Sequence, residues 1–112
     1  TAVKVHLSRV REMDPIVRRM LRQAVQAYGT QETEIARSVF SEEEAVDALY
    51  GEVISGIVAE AARAPTNMPA VLDVLSVAKN LERIADHATN IAEDVLFVTT
   101  GEIVRHQPRD EV

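Results

Sequence analysis

The chain has 112 residues, of which 18 are acidic and 12 are Lys or Arg, for a formal net charge of −6; 46% of it is hydrophobic, 4% aromatic, and it has no cysteine. That length suits one domain around one core, the missing thiols exclude disulfides and thiolate metal sites, and the acidic balance excludes a partner bound by neutralising a phosphate backbone. Its apolar runs fall far short of the ~20 residues of a membrane span, and no charged-then-apolar leader pattern is present, so a soluble cytoplasmic chain is expected.

Residues 1–13 mix alternation at Val3, Val5 and Leu7 with Arg9 and Arg11, a pattern open to an extra helical turn or an arm. The first helix is predicted over about residues 13–29, with Asp14 as N-cap, Pro15 at the first helical position, Ile16, Met20, Leu21, Ala24, Ala27 and Tyr28 at helical spacing, and Gly29 as the stop. The second is predicted over about residues 31–64, carried by Ile35, Val39, Val46, Leu49, Val53 and Ile57 and ended by the turn signal Ala64-Pro65-Thr66-Asn67. Ser41 with Glu44 has the form of a capping box and allows a break near residue 40. Gly51 and Gly56 each cost a helix about 1 kcal/mol relative to Ala, a cost accepted most readily where a neighbouring helix must come close.

The third helix is predicted over about residues 67–100, with Thr66 as cap, Pro69 in the first turn, and Leu72, Leu75, Ala78, Leu81, Ala85, Ala88, Ala92, Val95 and Leu96 on one face. Gly101 closes it, and residues 102–112 lack an apolar period and read as a tail. Long aliphatic helices joined by short turns predict one all-α domain, an antiparallel three-helix bundle.

Glu43 and Asp47 in the second helix, and Glu82 and Asp86 in the third, are the two E-x-x-x-D pairs in the chain. Residues four apart share a helix face, and like charges there repel by a few tenths of a kcal/mol, more when desolvated, unless a cation offsets them. Glu82, Asp86, Asn90 and Glu93 fall on one stripe about 80° wide, at the border of the apolar face. Facing pairs on antiparallel helices supply an all-oxygen site suited to Mg, Ca or Mn, or to Fe where carboxylates bridge several ions. The plainer account is a solvated edge, salted to Lys79 or Arg83. His87 lies toward solvent, and His6 and His106 lie in the chain ends and are expected to be exposed.

The string from Leu81 to Glu93, L-E-R-I-A-D-H-A-T-N-I-A-E, followed by Thr100-Gly101-Glu102, resembles the signature helix of the phosphate-uptake regulator (PhoU) family. Val46-Asp47-Ala48-Leu49-Tyr50 is similar to its acidic second-helix motif, and Arg19-Met20-Leu21 through Ala27-Tyr28 to its first helix, so the likeness covers roughly residues 13–106. The resemblance implies a three-helix bundle that binds metal ions (Fe, Zn, Mn or Mg) through Glu43, Asp47, Glu82 and Asp86, with Asn90 and His87 in the same signature. It also implies an accessory adaptor and negative regulator of phosphate transport and phosphate-starvation signalling, whose partners are the transporter's ATPase subunit and the phosphate-sensing histidine kinase. Family members usually carry two tandem bundles; this chain has one, most like the second, and is either a fragment or a single-bundle relative that pairs with itself. Ala85 stands where the signature commonly has glycine.

No nucleophile with a base, and no E-x-x-H motif of the carboxylate-bridged oxidases, is present, so an enzyme is not expected. The competing reading is a metal-independent helical interaction module. A ferritin-like redox bundle, which would turn over Fe(II) with oxygen, is the third class and is not expected.

Overall fold

The computed structural model describes residues 2–103, which form three long helices, α1 (Ala2–Thr30), α2 (Thr33–Arg63) and α3 (Met68–Thr100), with a 3-10 turn at Pro65–Asn67 between the last two. Each helix packs against both others around one shared core, and no strand occurs among the described residues. Helices of 29, 31 and 33 residues agree with a long axis of 51 Å, at about 1.5 Å of rise per residue.

α1 begins well before the predicted start at residue 13. Its buried stripe, His6, Val10, Met13, Val17, Met20, Ala24 and Ala27, steps by four and three from end to end, which is the spacing of a packed helix face. The polar His6 hid the first turn of that stripe from a purely apolar count. Pro15 accordingly lies inside the helix, not at its start. It sits on the exposed face, where water can serve the Arg11 carbonyl that loses its donor. Asp14 is no cap: its carboxylate accepts from Arg18 Nε at 2.9 Å, one turn on.

The stop is also displaced, because Gly29 remains helical and Gln31 takes the left-handed conformation with φ 58°. The Gln31 N–H donates to the Ala27 carbonyl at 2.7 Å, and its side-chain amide donates to the Tyr28 carbonyl at 2.8 Å. A side chain bearing Cβ is strained in that region and glycine is not. Gln31→Gly is therefore expected to raise stability by up to about 1 kcal/mol, less what the lost amide contact contributes, as read from urea denaturation midpoints.

α2 runs unbroken through residue 40. The Ser41 hydroxyl donates to the Ser38 carbonyl at 2.7 Å instead of capping a new helix. Thr66 is taken up in the 3-10 turn and does not cap α3. At the far end Gly101, with φ +77°, donates its N–H to the Phe97 carbonyl at 3.0 Å, the single-bond left-handed cap that favours glycine. Of the tail, Glu102 is tied back to Arg37 at 2.6 Å; residues 104–112, with His106, lie outside the described residues.

The core is aliphatic and small: Ala24, Ala27, Ala36, Ala78, Ala85, Ala88 and Ala92 have no exposed surface. Ala85 therefore meets the packing demand of its position with a methyl group. Arg19 pairs with Glu42 through two bonds of 2.5 Å, and Arg9 with Glu52 at 3.6 Å, which sets the antiparallel register of α1 on α2. The Glu42 carboxylate, through its hydrogen bond and then its charge, raises the Arg19 pKa. Thr33 meets Thr99 at 3.2 Å and fixes α3 antiparallel to α2.

His6 is a further departure: only 6% of it is exposed, and neither ring nitrogen has a hydrogen-bond partner. It occupies the space left by Gly56, where a Cβ would lie 2.1 Å from its Cε1. The close approach expected at a glycine thus holds at Gly56, whereas a Cβ at Gly51 would meet nothing within 4 Å.

Candidate metal centre at the seam of the second and third helices

Glu42 and Glu52 face α1 through their arginine partners. At about 100° per residue, Glu43 and Asp47 lie roughly 60° and 100° from Val46 on the opposite flank, toward α3. On α3 the flank toward α1 is marked by Ile91, which shares a groove with Val25 and Tyr28. Glu82 and Asp86 lie about 60° and 100° from Ala85 on the other flank, toward α2. Both acid pairs therefore turn to the same seam. With Thr33 level with Thr99, antiparallel counting sets Val46 level with Asp86 and Tyr50 level with Glu82.

Within the seam the acids differ in depth. Glu82 is 1% exposed, inside the core stripe and not at its border. Glu43 and Asp86 are half-buried, and their Oε2 and Oδ1 atoms are shielded from solvent. Asp47 is exposed by comparison, as are Asn90 and His87. Asn90 lies about 140° from the core direction, at the solvent end of the stripe, and His87 points almost straight outward. The Thr89 hydroxyl, buried beside them, donates to the Asp86 carbonyl at 2.8 Å and so holds the turn that carries that acid.

The donor set is all carboxylate on the seam side, which suits a hard cation in chemistry. Among the described residues, no three His, Asp or Glu side chains converge closely enough to hold an ion. A further buried acid escaped the sequence reading: Glu60, 3% exposed, capped by Arg63 with Nη2 to Oε1 at 2.9 Å. Its place in the 53–57–60 steps of the α2 stripe was the available signal.

Residues 10–95 match the family described as the PhoU domain. This chain belongs to the PhoU domain family. The PhoU domain is similar to the phosphate-specific transport system accessory protein PhoU homolog of Caulobacter vibrioides, 38% identical over 88% of this chain and 43% of the relative. It is similar to proteins of the same name in Rhizobium meliloti, 32% identical over 82% of this chain and 39% of the relative, and Pseudomonas putida, 34% identical over 87% and 38%. The chain spans about two-fifths of the length of these curated relatives. No solved structure matches it. Among the described residues of this PhoU domain, no helix is long and apolar enough to cross a membrane.

Proposed function

We propose that this PhoU domain is part of an accessory regulator of phosphate transport, acting as a non-enzymatic adaptor in phosphate-starvation signalling. The naming of its relatives as accessory proteins of a phosphate-specific transport system supports the reading. The partners are the transporter's ATPase subunit and the phosphate-sensing histidine kinase, reached from the cytoplasm, and the effect is negative regulation. Those features come from the family likeness of the Leu81–Glu93 signature.

Metal binding is the second part of the proposal, and what supports it is that both E-x-x-x-D pairs turn to one seam, with Glu82 buried and one oxygen each of Glu43 and Asp86 shielded from solvent. Glu43, Asp47, Glu82 and Asp86 would supply the carboxylates of the site, with Asn90 and His87 bordering it. A bound Fe, Mn, Zn or Mg ion would supply positive charge that draws α2 and α3 together.

The metal-independent interaction module is favoured by the lack of any three converging acids or histidines among the described residues. Elemental analysis of the chain reloaded with each metal separates the two. Stoichiometric metal that is lost on changing Glu43, Asp47, Glu82 and Asp86 to Ala, with the circular dichroism of both proteins helical, supports the site. Equal metal content in both proteins, or none in either, leaves the adaptor reading alone.

A further inference from the structure

Charge is spread unevenly over this bundle. α1 carries six Lys or Arg residues against two acids, whereas α2 carries two against seven and α3 two against five. The formal −6 of the whole chain therefore conceals one basic helix on an acidic body. Arg9 and Arg19 are turned to α2, where they pair with Glu52 and Glu42. The other four, Lys4, Arg11, Arg18 and Arg22, are exposed. At about 100° per residue they fall within an arc of about 40° on the side of α1 opposite its buried stripe, and they span about 27 Å of helix. No acid of α1 lies in that arc; Asp14 stands beside it with its carboxylate on Arg18 at 2.9 Å. Arg11 and Arg22 have no ion-pair partner among the described residues. Leu7 and Val25, 36% and 58% exposed, lie about 20° beyond the Arg18 edge of the row.

We propose that this ridge seats the bundle on an anionic lipid bilayer, with α1 lying along the plane of the phosphate headgroups. Three features select a bilayer. The row is straight and forms the outermost edge of its helix, so a plane of mobile lipids reaches all four cations whatever their spacing, while a folded acidic partner must present carboxylates at matched intervals. Leu7 and Val25 beside the cations suit the boundary between headgroups and acyl chains, and a nucleic-acid backbone has no use for them. Seen from the ridge, α2 and α3 with their excess of acids lie behind α1, so the field of the molecule turns α1 toward a negative surface. Each Lys or Arg at such a surface raises binding about five-fold, and four together raise it several-hundred-fold. The attachment is peripheral and needs no membrane span. It goes beyond the adaptor reading and does not rest on the metal.

Co-sedimentation of the full chain with lipid vesicles tests this, in chelator so that no divalent ion bridges lipid to the acid pairs. Vesicles of about one-third phosphatidylglycerol in phosphatidylcholine are expected to bind the chain at about 0.05 M salt and to release it ten-fold or more at about 0.5 M, as screening shortens the reach of the charges. Vesicles of phosphatidylcholine alone are expected to leave it in solution. Arg11→Glu with Arg22→Glu weakens binding about thirty-fold or more. Arg37→Glu with Arg83→Glu, an equal change of total charge at exposed positions of α2 and α3, weakens it less than about three-fold, since those residues are off the ridge. If a reversed variant fails to fold by circular dichroism, Arg11→Gln with Arg22→Gln decides, with a loss of about ten-fold or more. Equal binding to both vesicle types, binding to neither, or equal losses in the two double variants overturns the inference. Tighter binding to duplex DNA or to polyglutamate than to the anionic vesicles also overturns it and assigns the ridge to a nucleic acid or an acidic protein.

Discussion

Gly56→Ala is expected to destabilise the bundle by about 1–2 kcal/mol, a fall of roughly 5–10 °C in thermal midpoint, although alanine is the better helix former by about 1 kcal/mol. The added methyl would lie 2.1 Å from the His6 ring, so the imidazole must leave its seat and open the start of α1. Gly51→Ala, five residues away with nothing within 4 Å of its new Cβ, is expected to stabilise by about 0.5–1 kcal/mol. The same substitution thus carries opposite signs at two positions of one helix. Combining Gly56→Ala with His6→Ala removes the collision, and the double variant is expected to recover most of the loss relative to His6→Ala alone. Thermal melts of the four proteins form a double-mutant cycle. A Gly56→Ala protein as stable as Gly51→Ala would mean that His6 does not occupy this space.

The second large effect concerns the seam acids. If the seam takes an ion, free metal at about 100 times its dissociation constant adds about 2.7 kcal/mol to the native state. For a chain of this size that is a rise of roughly 10 °C or more. Glu82→Gln keeps the shape of the buried side chain and removes its charge. It is expected to abolish most of the metal-dependent rise while leaving the melt in chelator within about 1–2 kcal/mol of the unmodified protein. His87→Ala, at an outward position, is expected to diminish the rise only slightly. Melts with and without metal that coincide for the unmodified chain would remove the ion from the account and leave Glu82 as a structural acid of the core.

Periodicity alone made the three helices legible because their core stripes are long and almost purely aliphatic, and short turns left little freedom in their order. The Leu81–Glu93 string carried the family, and the comparisons agree with it. The acid pairs were legible as residues, since four-residue spacing shows in any sequence. Their depth was not. Glu82 reads as a border position on a single helix and is buried in the folded bundle.

Helical periodicity therefore determined the all-α architecture, the likeness of the Leu81–Glu93 string pointed to the family, and the acid spacing named the candidate ligands. Tertiary packing decided the rest. Burial of His6 depends on Gly56, fifty residues away, and a polar ring in an otherwise apolar stripe looks like the end of a helix until its seat is seen. Pro15 looks like a helix start because a ring nitrogen cannot donate, yet the helix continues when that turn faces water and the residues before it are packed. Each of these features arises between helices, where long-range contacts outweigh local preference.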